Sequence, residues 1–131
     1  MVSKNPFVDF LDGDLHIMIF RSKPAWTLDD WVSAVKYSAE MAKEANAHVE
    51  YVIYDMSESQ SIPYGFLSSL PNLRPYYQPH TKRRVLIGVG NFVKSLLRII
   101  GTFSPYLHRS FVIAESLDDA RKMIEEWKKN T

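Results

Sequence analysis

Apolar residues along this chain recur with two different periods, and the switching between them predicts the architecture. Two short apolar runs come first, Phe7-Val-Asp-Phe-Leu11 and Leu15-His-Ile-Met-Ile-Phe-Arg21, separated by Asp12-Gly-Asp14. Asp-Gly supplies the positive φ of a tight turn, so the runs are expected to pair as an antiparallel hairpin. In the second run Leu15, Ile17 and Ile19 alternate with His16, Met18 and Phe20, leaving both sides largely apolar. A strand of that kind is expected to be covered on both faces, with His16 a partly buried structural histidine.

The period then lengthens. Thr27 can cap the next segment with Asp30 three residues on, and Trp26 and Trp31 have the spacing of a hydrophobic staple. Leu28, Trp31, Val32, Val35, Ala39 and Ala42 fall on one stripe of about 100°, the core face of an amphipathic helix, with Ala34, Tyr37 and Met41 on the opposite side. Glu50-Tyr-Val-Ile-Tyr-Asp-Met-Ser57 returns to a continuous apolar run ending in Asp55, the signature of a buried parallel strand. A short second helix is expected over Ile62 to Leu70 with Pro63 in its first turn, broken by Pro71, Pro75 and Pro79. The segment Pro71 to His80 is expected to be extended or irregular.

Val85-Leu-Ile-Gly-Val89 reads as another buried strand, Gly90 as the turn after it and Asn91 as an N-cap. The third helix, Phe92 to about Phe103, carries Phe92, Val93, Leu96, Leu97, Ile99, Ile100 and Phe103 over an arc of about 160°, wider than the roughly 100° that packing on a sheet requires. Neighbouring helices, a second subunit or an apolar ligand must cover the excess, with Val93, Leu97 and Ile100 forming one flank. Pro105 ends this helix, and Ser110-Phe-Val-Ile-Ala114 forms the last strand. Ser116 and Asp119 cap a final helix whose buried stripe is Leu117, Ala120, Ile124 and Trp127, and Lys128 and Lys129 close it at the negative pole of its dipole.

The resulting order, ββαβαβαβα, predicts an α/β sandwich with a mostly parallel mixed sheet and an antiparallel N-terminal strand. With its Asp-ended middle strand and the closing Phe111-Val-Ile-Ala-Glu-Ser-Leu-Asp-Asp-Ala120 to Trp127 segment, it resembles the STAS-like proteins. The branch is the one grouped as SpoIIAA-like, or STAS/SEC14, and the resemblance covers nearly the whole chain. It implies a binding module rather than an enzyme: STAS domains serve as anti-sigma-factor antagonists, transporter regulatory domains and stressosome components, while SEC14 domains carry lipids. In the phosphorylated antagonists an Asp-Ser-Ser-Gly sequence opens the helix after the middle strand. Here the matching positions are Ile62-Pro63-Tyr64-Gly65, so the regulatory serine does not carry over. Ser57, Ser59 and Ser61 lie nearby, where a phosphate could meet helix amides or the hydroxyls could serve as turn and cap formers.

At 131 residues the chain fits one domain, 1–131. It lacks cysteine, which removes disulfides, thiolate nucleophiles and Cys-ligated metal centres. No apolar run approaches the roughly 20 residues of a bilayer span, and Met1-Val-Ser-Lys-Asn-Pro6 has no secretory core, so a cytoplasmic location is expected. The net charge of +1 conceals an uneven distribution. Between Ser59 and Ala114 there is no Asp or Glu, yet Arg74, Lys82, Arg83, Arg84, Lys94, Arg98 and Arg109 lie there. One basic and one acidic face are the expectation, as is a solvated surface whose charges balance in space.

Chemical motifs are sparse. Gly88-Val-Gly90 follows a strand and precedes a helix, but Val93 stands where the dinucleotide fingerprint needs its third glycine. No phosphate-binding lysine loop, paired-histidine metal motif or nucleophile elbow is present. His16, His48, His80 and His108 sit in separate elements, and the last three precede strands, away from the carboxyl edge where α/β sites form. No enzyme activity and no cofactor or metal are expected.

Two sets of residues are singled out by topology. Arg21, Asp55, Ser57, Asn91 and Glu115 end or follow strands and are expected to converge at the carboxyl edge as a site for a small polar ligand. Lys82, Arg83, Arg84 and Arg109 precede strands and are expected to share the opposite edge, facing an acidic protein partner. The expected function is a regulatory or protein-interaction module. The alternatives are a homodimer and a SEC14-like carrier of a small apolar or lipid ligand. Nucleic acid is not expected, since Tyr76 and Tyr77 could stack bases but no binding motif accompanies them.

Overall fold

A computed structural model describes residues 5–59, 61–88 and 90–130. Five strands form one sheet: β1 (Val8–Leu11), β2 (Asp14–Arg21), β3 (Tyr51–Asp55), β4 (Arg83–Ile87) and β5 (Phe111–Ala114), in the spatial order β1-β2-β3-β4-β5. β1 and β2 are antiparallel, joined at Asp12 and Gly13 with φ of 53° and 77°. All later pairs are parallel. The helices are α1 (Leu28–Glu44), α2 (Phe66–Asn72), α3 (Gly90–Phe103), α4 (Pro105–Arg109) and α5 (Leu117–Lys129).

The strand order explains how the helices are distributed. Each parallel crossover steps to the next strand in the same direction, and right-handed crossovers then place their helices on one face. That face carries Met18, Phe20, Val52 and Leu86 from the sheet against Trp31, Val35, Leu96 and Ile100 from the helices, all buried. On the other face α5 lies alone, where Ala120 and Ile124 meet Ile19, Ile53, Val85 and Ile87. With both faces covered, strands β2 to β4 read as continuous apolar runs.

Local chemistry sets the helix starts. Thr27 and Asp30 form the expected reciprocal box, with Asp30 N–H donating to Thr27 Oγ1 at 3.1 Å and Thr27 N–H to Asp30 Oδ2 at 2.9 Å. Trp26 and Trp31 are both buried, their rings 6.4 Å apart. Ser116 Oγ accepts from Asp119 N–H at the start of α5.

Several expectations are corrected. Ala34, placed by the helical wheel on the outer side of α1, is in the core, and so is Ser38, whose hydroxyl donates to Val35 O at 2.6 Å. That internal bond removes the cost of burying the hydroxyl. His16 and Leu15 are exposed, because β2 outruns β3 and parallel pairing begins only at Ile17↔Tyr51. α2 begins at Phe66 rather than near Pro63, after Gly65 at φ 85°, and Pro71 lies inside it. A 3-10 turn at Arg74–Tyr76 follows. β4 starts at Arg83 and ends at Ile87; Val89, its expected last residue, lies outside the described residues. Asn91 is in the first turn of α3, which begins at Gly90. α4 was not expected, although Ser104-Pro105 is a start signal: Ser104 Oγ accepts from Leu107 N–H at 3.1 Å.

Candidate functional site

The carboxyl edge follows directly from register. Arg21 pairs with Asp55, Asp55 with Ile87 and Ile87 with Ala114, so four strands end in line. Asp55 is held by its own loop: Ser57 Oγ and N–H donate to Asp55 Oδ1 at 2.6 and 3.1 Å. The Asp55 carbonyl accepts from Ser22 N–H at 3.1 Å, and Ser22 and Ser59 hydroxyls bond to each other. Arg21, Asp55 and Ser57 are therefore neighbours. Asn91, four residues beyond Ile87, and Glu115, next after Ala114, lie at the same edge. No hydrogen bond or ion pair joins either to the other three among the described residues.

At the amino edge the four predicted cations divide. A strand turns successive side chains to opposite faces, so Arg83 and Arg84 cannot share one. Arg83 lies on the α5 side, its guanidinium 5.0 Å from the Trp127 ring centroid. Lys82 is exposed and 3.4 Å from Glu50 Oε1. Arg109 is exposed at the end of α4. Arg84, by contrast, is 9% exposed and lies on the face that α1 to α4 cover. Starting the strand at Val85 hid this; alternation back from Leu86 places Arg84 on the helical face. His48 and His80 add an unexpected stacked pair at this edge, ring centroids 4.1 Å apart.

Arg84 lines a cavity of about 60 Å³ between the sheet and the crossover helices. Its walls include Phe20, Trp31, Val52, Tyr54, Phe66 and Leu86, and no Asp or Glu lines it. Arg84 Nη1 donates to Ser110 Oγ at 2.8 Å, and Ser110 Oγ donates in turn to Leu107 O at 2.6 Å. Burial pushes the Tyr54 phenol above its ordinary pKa, and the adjacent Arg84 guanidinium only partly offsets this. Tyr77 is raised as well, chiefly by burial, and its hydroxyl donates to Leu70 O at 2.8 Å. The broad apolar face of α3 is met by α2 and α4. Leu96 and Ile100 line the cavity, whereas Leu97 does not.

Among the described residues no group of three or more His, Cys, Asp or Glu could hold a metal ion, and no helix is long and apolar enough to cross a membrane. No protein-family model and no curated protein matches the chain. Among solved structures it is similar to the Bacillus cell fate determinant SpoIIAA in its phosphorylated form, with a TM-score of 0.59 at 10% identity, over 89% of this chain and 98% of that one. The fold is the STAS-like fold of SpoIIAA. Within it Gly65 is the residue that precedes α2. At φ 85° it is left-handed, and a Cβ there would lie 3.1 Å from Leu28 Cδ2. The SpoIIAA fold is thus built here with Ile62, Pro63 and a fully exposed Tyr64 ahead of that glycine.

Proposed function

We propose that the chain is a non-catalytic regulatory module that acts by binding an acidic protein partner through the outer surface of α3 and α4. The observation that carries this reading is a stretch of exposed cations without acids. From Ser59 to Ala114 no Asp or Glu occurs, and Lys94, Arg98 and Arg109 are exposed on α3 and α4, as is Tyr106 of α4, 72% exposed. Exposed Tyr and Arg together are the composition of interface anchors. The shared fold with a cell fate determinant supports a regulatory context. Lys82, beside Glu50, and Arg83, on the α5 side, lie apart from this surface, while Arg21, Asp55, Ser57, Asn91 and Glu115 would serve a small polar ligand at the carboxyl edge.

A photo-crosslinking residue placed at Tyr106 in the producing cells tests the reading. It is expected to trap a defined acidic protein, with the yield falling steeply on adding Arg98→Glu and Arg109→Glu or on raising salt. Trapping that is insensitive to both changes would overturn it.

One observation favours a second reading, a carrier of a small apolar ligand: the cavity under α1 to α4, which is apolar except at a few points.

A further inference from the structure

The cavity contains a charge that its own walls do not answer. Arg84 is permanently cationic, presents five N–H donors and is nine-tenths buried. Its side-chain partners are neutral, the Ser110 hydroxyl at 2.8 Å and the Tyr54 phenol. No ion pair reaches it among the described residues, and none of the cavity-lining residues is acidic. Isolated buried charge is costly unless a counter-charge and hydrogen bonds compensate it. Trp31, on α1 across the cavity, has a buried indole Nε1 with no acceptor among the described residues. The interior is thus largely apolar and carries one positive charge with no acidic side chain to offset it.

We propose that this cavity binds a small apolar monocarboxylate, with the carboxylate paired to the Arg84 guanidinium and the hydrocarbon body against the aromatic walls. The proposal rests on the ligand-carrying reading and gives that ligand its chemistry. A planar guanidinium matches a carboxylate by two parallel hydrogen bonds. One negative charge neutralises the one buried cation, whereas a phosphate dianion would leave an excess charge in an apolar site. An ammonium ligand would meet like charge, and a neutral alcohol would accept hydrogen bonds without cancelling the charge. Size is limiting too. A cavity of about 60 Å³ accommodates roughly five water-sized spheres, which suits a body of about six to ten non-hydrogen atoms rather than a membrane lipid. Phe20, Tyr54 and Phe66 present flat surfaces to a ring or a short chain.

The test is titration calorimetry with two matched pairs, hexanoate against 1-hexanol and benzoate against benzyl alcohol, on the wild type and on Arg84→Met. Tryptophan fluorescence reports occupancy next to Trp31. At least one acid is expected to bind ten-fold or more tighter than its alcohol, and Arg84→Met, shown folded by a cooperative melt, is expected to abolish that difference while sparing alcohol binding. Arg84→Lys is the second variant should Arg84→Met fail to fold; it is expected to retain the acid preference at reduced affinity, because it keeps the charge and loses the planar fork. Equal binding of acid and alcohol would overturn the anion assignment and leave the carrier reading standing. If neither acid nor alcohol binds and native mass spectrometry of the purified protein shows no added mass, the carrier reading itself is overturned, and this proposal with it.

Discussion

Arg84 and Ser110 are joined twice across the β4–β5 edge: the Arg84 backbone N–H donates to Ser110 O at 2.9 Å, and Arg84 Nη1 donates to Ser110 Oγ at 2.8 Å. The second bond gives a buried cation a fixed partner. Ser110→Ala is expected to destabilise the protein by about 1.5–3 kcal/mol, the range for a hydrogen bond to a charged group. Adding Arg84→Met to Ser110→Ala should cost less than the sum of the single changes, because the unpaired charge is removed with its partner. Urea titrations of the four proteins in the cycle measure both quantities; strict additivity would show that the pair is not coupled.

Gly88 belongs to packing. A Cβ at this position would lie 2.5 Å from Val93 Cγ2, so the first turn of α3 rests against the end of β4. Gly88→Ala is expected to cost about 1–3 kcal/mol by overpacking. Combining it with Val93→Ala should recover part of the loss from Gly88→Ala, compared with the sum of the two, by making room for the methyl. Denaturant midpoints of the single and double variants decide this.

Gly65 is required by backbone conformation. Its φ of 85° disfavours any side chain, and Leu28 Cδ2 lies 3.1 Å from the position of a Cβ. Gly65→Ala is expected to lower stability by about 1–2 kcal/mol through the left-handed conformation alone. Gly65→Asn, which tolerates that region better, should lose less backbone energy, while Leu28→Ala should relieve only the steric part. A thermal melt series separates the two causes.

Lys128 and Asp14 tie the last helix to the hairpin, with Lys128 Nζ 2.7 Å from Asp14 Oδ2. Burial pushes the Asp14 carboxyl up, but the hydrogen bonds from Lys128 and the His16 backbone N–H outweigh it, leaving the carboxyl below its ordinary pKa. The same hydrogen bond to Asp14 raises Lys128 against the effect of burial. A lowered acid contributes stability that is present above its unfolded pKa and lost as pH falls through the folded one. A raised base contributes stability that is present below its unfolded pKa and lost as pH rises through the folded one. The pair should therefore stabilise the fold between about pH 4 and pH 10. Both side chains are about one-third exposed, and the expected loss in Lys128→Met at pH 7 is up to about 1 kcal/mol. The difference from wild type should vanish below about pH 3, as urea titrations at the two pH values would report. A constant difference would assign the effect to packing of the lysine stem.

Much of the architecture was legible because it follows from local chemistry. The Asp12-Gly13 turn, the Thr27–Asp30 box and the apolar runs at Tyr51–Asp55 and Val85–Ile87 specify their elements within a few residues of chain. Once the helices and strands were assigned, the parallel direction of the strands set which ends share the carboxyl edge, and Arg21 and Asp55 are register partners. Helix faces were less secure. The wheel of α1 missed Ala34 and Ser38, because which side of a helix is buried depends on the width of what packs against it, and small residues carry little apolar signal.

The cavity and its charge were decided by tertiary structure alone. Lys82-Arg83-Arg84 looks like one basic cluster in sequence, and only the start of β4 at Arg83 determines that Arg83 reaches Trp127 on one side while Arg84 is buried on the other. A shift of one residue in strand register would exchange their environments, and nothing local to the three cations sets that register. Pairing with β3 and β5 sets it, through contacts tens of residues away in the chain: Arg84 opposite Val52 and Phe111, with Ser110 beside it. The sequence determined that this segment is basic and leads into a strand. The packing of five strands beneath four crossover helices determined that one of its charges faces inward, because side-chain direction in a strand alternates and burial depends on what the rest of the chain lays over each face.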